Sequence, residues 1–219
     1  MPCDRDMPVP SCPRTDADMN AYYAARAPYY DAVYDKPERR ADLAYLSQHL
    51  PQRLAGRSVL EVACGTGYWT QFIAPLVTRM LATDATSEPL ALARQRLAHS
   101  PQVTFAQADA YALPALPTEA GRFQAAFAGL WFSHVPIERR SAFLRSLHAR
   151  LLPGARVIFL DNSEVQCQDF PLTERDAQGN TYQQRLLRDG SSHRVLKNFP
   201  SEAQLRAMLA AQAQVTDYR

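Results

Sequence analysis

Apolar positions along this chain follow two periods in turn. Short runs at 58–63, 79–84, 103–108, 123–128 and 155–160 have apolar centres, the first interrupted only by Glu61 between Val59 and Ala63, as buried strands do. Between them the apolar residues fall at helical spacing: Leu90, Ala93 and Leu97 over 87–98, and Phe143, Leu147 and Leu151 over 136–152. Strands alternating with helices predict an α/β fold, a doubly wound and mostly parallel sheet with helices on both faces. Ser87 is the expected N-cap of its helix, and Pro153-Gly154 the stop of the next. A helix opens at 68–74, after the first strand. Ahead of that strand, Leu43, Leu46 and Leu50 mark a helix over 38–50 that Pro51 ends, and 17–35 is rich in alanine and tyrosine.

The rhythm breaks in the third quarter. Extended runs at 181–188 and 192–197 flank Asp189-Gly190, a hairpin turn signal. Ser201 and Gln204 form a capping box for a helix to about 211, and 214–218 reads as a sixth strand. Residues 1–16 hold four prolines among polar residues and are expected to be a disordered leader. The organisation predicted is one domain over 17–219, with a helical lid at 17–52 and a hairpin insertion at 163–199.

The segment S-V-L-E-V-A-C-G-T-G-Y-W-T, residues 58–70, carries the chemistry. A strand feeds a helix through Gly65 and Gly67, so a ligand can lie against backbone that a Cβ would block. The helix start adds free N–H groups and partial positive charge. Asp84 stands at the end of the next strand, where its carboxylate can accept both hydroxyls of a ribose. These features point to a nucleoside-bearing cofactor. A dinucleotide fingerprint would place a third glycine where Thr70 stands, and the acidic Glu61 suits a ligand with an ammonium group and no pyrophosphate.

Glu61, Gly65, Gly67 and Asp84 resemble the nucleotide site of class I S-adenosylmethionine (SAM) methyltransferases. The E-x-A-C-G-T-G segment and L-H-A-R-L-L-P-G-A-R-V-I-F-L-D-N at 147–162 carry the resemblance, which covers roughly 20–218. It implies a Rossmann-like fold and SAM as cofactor. It implies cofactor contacts from Glu61, Ala63, Gly65, Gly67, Trp69 and Thr70 on the first turn, and from Asp84 and Ala85 on the second. Asp109 and Ala110 after the third strand would face the adenine, with Gly129 and Leu130 beside the methyl group. Tyrosine-rich N-terminal helices that cap SAM are also implied. Tyr22, Tyr29 and Tyr34 are the candidates, and a surface helix burying its rings is the alternative. Ala155 and Gln124 depart from the family pattern at positions away from the expected cofactor. A further closing strand is also implied, with no residues left for it after Tyr218.

Methyl transfer from a sulfonium needs alignment more than bond-making help. A base is required only if the acceptor atom holds a proton. His134, past the fourth strand, is the candidate catalytic base, against a structural histidine bonded to backbone. Trp131 is a candidate substrate contact or a core residue. Asp161 either orients substrate or caps a solvated loop. The remaining histidines and the four cysteines lack metal-ligand spacing, so no metal is expected, and the thiols are expected to be reduced.

At 219 residues, 21% charged and with net charge +2, the chain suits a soluble globular domain acting on a small-molecule substrate. No basic run suggests nucleic acid, and no apolar run spans a membrane. The expected location is cytoplasmic, and an unclosed sheet edge would suit a homodimer. The expected function is methyl transfer to N or O, possibly S, of a small molecule. The alternatives are a protein or RNA methyltransferase and a non-catalytic SAM-binding scaffold. Gly129-Leu130-Trp131-Phe132 replaces the Asn/Asp-Pro-Pro-aromatic motif that amide or base nitrogens would favour.

Overall fold

The computed structural model describes residues 13–117 and 121–218. Its centre is a five-stranded parallel sheet of order β3-β2-β1-β4-β5. The strands are β1 Ser58–Val62, β2 Arg79–Asp84, β3 Val103–Gln107, β4 Phe123–Gly129 and β5 Leu151–Leu160. Period two sorts their side chains. Leu60, Val62, Leu81, Ala126 and Ala128 join Phe143, Leu144 and Leu147 in one core cluster. Val59, Met80, Ala125 and Phe127 join Leu50, Leu54, Trp69 and Ile73 in another. Apolar residues therefore pack on both faces of the sheet.

The covering helices are α2 Arg40–Gln52, α3 Thr70–Ile73, α4 Ser87–Arg96 and α5 Arg140–His148. Pro75 cuts α3 short, and the chain continues as a 3₁₀ turn over Ala74–Leu76. Thr86, not Ser87, is the N-cap residue of α4, and its side chain makes no cap hydrogen bond. Pro153-Gly154 does not end α5. The helix stops at His148, and β5 already pairs at Leu151, opposite Phe123. The register then shifts, and Gly154 (φ +75°) sits in the irregularity. Pro153 fits there because an edge strand at a bulge can lack a donor.

A second sheet, antiparallel, joins β6 Leu172–Arg175, β7 Thr181–Leu186 and β8 Ser192–Leu196. Helix α1, Pro13–Arg26, packs on β8, with Met19 and Tyr22 against Tyr182, Val195 and Leu196. Residues 13–16, expected in the leader, are thus helical, and 1–12 lie outside the described residues. After α1 a 3₁₀ segment, Ala27–Val33, is kinked at Tyr29, since Pro28 cannot extend the α-helix.

The capping box on α6, Glu202–Leu209, is present as expected. The sixth strand is not. Residues 214–218 pair with no strand; Arg206 Nη1 donates to the Thr216 carbonyl (2.6 Å), and Val215 is exposed. Among the described residues no helix is long and apolar enough to cross a membrane.

Candidate functional site

Strand order reverses between β1 and β4, and open parallel sheets bind ligands at that point, beyond the carboxyl ends of the strands. Two residues there hold a conformation that L side chains rarely adopt: Ala63 (φ 54°) after β1 and Leu130 (φ 57°) after β4. Such strain, of order 1–3 kcal/mol each, marks functional turns. Both line a cavity of about 410 Å³, within the roughly 300–1,000 Å³ of small-molecule sites.

Three backbone turns build its floor. In the β1–α3 turn, Gly65 takes φ +56°, and a Cβ there would meet no protein atom within 4 Å. That Cβ would project into open space at the cavity wall. Gly67 is needed for packing instead, since its Cβ would stand 3.1 Å from Ala93 Cβ and Leu97 Cδ1. In the β2–α4 turn, Asp84 accepts from Gly65 N (2.9 Å), Thr86 N (3.1 Å) and Thr86 Oγ1 (3.0 Å). Burial pushes its carboxyl up, while the bonds from Thr86 and Gly65 oppose that. Three bonds occupy three of the roughly four lone-pair sites of the carboxylate and leave one, on Oδ2, for a further donor. After β3, exposed Asp109 accepts from Tyr111 N (2.8 Å), with buried Ala110 beside it.

The roof comes from α1 and the 3₁₀ segment, which present Tyr23 and Tyr30 to the cavity. Asp31 latches this segment down. It accepts from Thr66 Oγ1 (2.6 Å) in the glycine turn and pairs with Arg96 of α4. Arg96 also donates to the Thr66 carbonyl (2.9 Å).

A model of the methyltransferase-domain family matches residues 59–155. The ubiquinone biosynthesis O-methyltransferase of Xanthomonas oryzae pv. oryzae is 33% identical over 177 residues, which are 80% of this chain and 69% of that protein. The chain belongs to the class I SAM-dependent methyltransferases. The 2-phytyl-1,4-naphtoquinone methyltransferase of Thermosynechococcus vestitus is 32% identical over 160 residues, 68% of this chain and 66% of that protein. The chain therefore spans about two thirds of the length of this curated relative. In structure it is similar to DhpI in complex with SAH, with a TM-score of 0.73, 30% identity, and coverage of 92% of this chain and 88% of that one. A DhpI–SAM–HEP complex gives a TM-score of 0.72 at 31% identity, over 93% and 90% of the two chains.

The cavity of this methyltransferase fits SAM: a backbone cradle at Gly65, a carboxylate with an open lone pair at Asp84, and two aromatic rings overhead. Of the residues expected at the site, Ala63, Gly65, Asp84, Ala85, Asp109 and Ala110 lie in its wall. Gly129, Leu130, Trp131 and His134 do so from the β4 side.

The rest do not. Glu61 is buried in the middle of β1 and accepts from Thr70 Oγ1 at 2.6 Å. Burial raises its pKa to about 8, against the opposing Thr70 bond. It therefore holds a proton at neutral pH and supports the turn from beneath. Thr70 and Trp69 are buried with it, Trp69 in the core cluster of Val59 and Ile73. Tyr34 stacks on Tyr68 (ring centroids 3.5 Å apart) and is buried.

Tyr22 and Tyr29 line a second cavity of about 270 Å³, which also borders Tyr23, Tyr30, Leu130 and His134 and so adjoins the first. The α-helix ends at Arg26, and Pro28 stands at the start of the kinked 3₁₀ segment that follows. Tyr23 and Tyr30, not Tyr22 and Tyr29, reach the cofactor cavity. Trp131, expected on the substrate side, lines only the first cavity, 4.6 Å from Phe143 and 6.1 Å from Tyr111 by ring centroid.

His134 has both nitrogens engaged. Nδ1 lies 2.6 Å from the Leu196 carbonyl and must donate to it, so neutral Nε2 accepts from Tyr23 Oη at 2.9 Å. Burial, with Lys197 nearby, lowers its pKa to about 3, Asp161 opposing. In this arrangement the ring is neutral, with its Nε2 lone pair taken by the Tyr23 hydroxyl and its Nδ1 proton by the Leu196 carbonyl.

Asp161 borders neither cavity. It accepts from Ser133 N (2.7 Å), Ser133 Oγ (2.8 Å) and buried Lys197 Nζ (3.0 Å). Burial would raise its pKa, but Lys197, His134 and the Ser133 bonds hold it below the usual carboxylate range.

Proposed function

We propose that this protein moves the methyl group of SAM to a nitrogen, oxygen or sulfur atom of a small molecule. The observation that carries the reading is the second cavity, which adjoins the cofactor cavity where Leu130, Tyr23 and His134 meet. A cavity of about 270 Å³ is of a size to take a metabolite or part of one. The quinone acceptors named for the curated relatives are also small molecules.

When bound, SAM supplies a methyl group on a positive sulfur, which keeps the bonding electron pair as the methyl leaves. The chain supplies alignment, worth roughly 7–11 kcal/mol when reacting atoms are held in line. Asp84 would accept from a ribose hydroxyl through its free Oδ2 lone pair, and Asp109 with the Ala110 backbone would face the adenine. The rings of Tyr23 and Tyr30 would face the sulfonium, worth roughly 0.5–2 kcal/mol. His134 fixes the direction of the Tyr23 hydroxyl. With no strong base at the junction, the favoured acceptor atom carries a free lone pair at neutral pH.

The test is incubation with SAM bearing a heavy methyl group and a metabolite extract, followed by mass spectrometry, with Asp84→Ala as control. Label on one metabolite that disappears in the control is the expected result. Label confined to RNA or protein, supplied in parallel, overturns it, and SAM binding without label anywhere favours a scaffold.

A further inference from the structure

The second cavity is lined by five cationic side chains, Arg26, Lys36, Arg185, Arg188 and Lys197, and by no carboxylate. Two of them are neutralised nearby: Lys36 pairs with Glu38 and Asp169, and Lys197 with Asp161. The three arginines have no carboxylate partner among the described residues. Each guanidinium lies over an aromatic face: Arg26 over Tyr30 at 4.9 Å, Arg185 over Phe170 at 3.7 Å and Arg188 over Tyr29 at 4.5 Å. Arg26 Nη1 donates to Tyr22 Oη (3.2 Å) and Arg185 Nη2 to Gln183 Oε1, and the remaining in-plane N–H groups of the stacked guanidinia are left for an oxyanion.

Arg185 is the most telling of the three. It is 8% exposed, and its Nε has no hydrogen-bond partner. A buried unpaired donor costs about 1–3 kcal/mol, more on a charged group, so the site lacks something that accepts from it. The three come from separate elements: Arg26 from the end of α1, Arg185 from β7, and Arg188 from the turn before β8. All converge on a cavity that meets the cofactor site at Tyr23 and Tyr30.

We infer that the methyl acceptor carries a carboxylate or phosphoryl group, seated on Arg26, Arg185 and Arg188 in the second cavity. The inference rests on the methyltransferase reading and specifies its acceptor as an anion. A neutral quinone would leave the three charges without a partner.

The test is isothermal titration of the whole protein in chloride-free buffer, with and without saturating S-adenosylhomocysteine. The probes are inorganic phosphate, benzoate, and the neutral benzamide and 1,4-naphthoquinone. Binding of phosphate or benzoate is expected, with the preferred probe telling phosphoryl from carboxylate. Arg188→Gln and Arg185→Gln should each weaken it about tenfold or more. S-adenosylhomocysteine affinity, unchanged in both variants, shows that they fold. Arg188→Gln tests the inference alone if buried Arg185 proves indispensable to the fold. Anions that fail to bind the wild type, bind the variants equally, or bind no better than the neutral probes overturn it. Failure of S-adenosylhomocysteine to bind at all is a separate result that removes the methyltransferase reading, while the anion titration without it still decides the charge of the site.

Discussion

The two adjoining cavities are built by opposite means. The cofactor cavity is made of backbone: turns after β1, β2, β3 and β4, a glycine at φ +56°, two strained residues, and one carboxylate tied to the turns that flank it. The second cavity is made of long side chains reaching from α1 and the antiparallel sheet. The first holds a protonated acid beneath it in Glu61, the second a buried cation in Lys197. A cofactor shared across a family is held by what the sheet itself provides. The proposed acceptor cavity is lined largely by side chains that can change without disturbing the parallel sheet.

The largest effect that separates the two halves is expected from pH. Glu61 keeps its proton to about pH 8 in the folded state, whereas the unfolded chain releases it near the ordinary carboxyl value. Above that ordinary value the unfolded state binds fewer protons, so stability falls as pH rises, by roughly 1.4 kcal/mol per unit, until pH passes about 8. Urea denaturation of the wild type between pH 6 and 8 should lose a few kcal/mol, and Glu61→Gln should flatten that slope. An equal slope in the variant would place the titrating group elsewhere.

Asp84→Asn comes next. It keeps the shape of the turn and removes the charge that a ribose hydroxyl would meet. S-adenosylhomocysteine should bind roughly 10–100-fold more weakly, the worth of a hydrogen bond to a charged group. Phosphate binding in the second cavity should not move. Loss of both would mean that the cavities act as one site.

How legible each half was in the sequence follows from the same contrast. The cofactor turns lie in one stretch, 58–70, plus single residues at strand ends. Gly65, Asp84, Asp109 and Leu130, all picked from local pattern, lie in the cavity wall. Glu61 and Thr70 lie outside it, because the facing of a strand residue is not set by the motif alone and β1 turns Glu61 toward Thr70 behind the turn. The parallel sheet was readable because period two and glycine turns are local. The sixth strand was not, since pairing depends on whether an edge is within reach. Arg26, Arg185 and Arg188 had no signal at all: they are far apart in sequence and meet only because α1 packs on β8. Tyr23 and Tyr30 lie in the tyrosine-rich stretch, but which of its rings reach the cavity depends on the kinked 3₁₀ path after Arg26.

The two glycines of the first turn divide folding from binding. An alanine at Gly67 (φ +76°) meets Ala93 and Leu97, and overpacking with a left-handed backbone costs about 1–3 kcal/mol. Chemical denaturation should register that loss while the folded fraction still binds S-adenosylhomocysteine. An alanine at Gly65 meets nothing, so its Cβ takes space from the ligand. About 1 kcal/mol of stability should go through φ alone, together with a larger drop in cofactor affinity. The reverse assignment would mean that Gly67, not Gly65, faces the ligand.

The smallest change is the most informative about the junction. Tyr23→Phe removes only the hydroxyl that donates to His134 Nε2, at a cost of about 1 kcal/mol. Because the His134 pKa lies at about 3, the wild-type rate should show no histidine inflection between pH 5 and 9. The sign agrees with its stability effect: the folded value is depressed, so His134 favours folding above its ordinary pKa and loses that contribution as pH falls toward 3. In Tyr23→Phe the Nε2 lone pair is freed while Nδ1 stays on the Leu196 carbonyl. If His134 only orients Tyr23, methyl transfer should slow several-fold with an unchanged pH profile, because the ring at the junction has lost its anchor. If His134 were the base, the freed lone pair would speed the reaction or bring an inflection near 6.5 into the profile. The pH profile therefore separates positioning from proton transfer, which the rate alone cannot do.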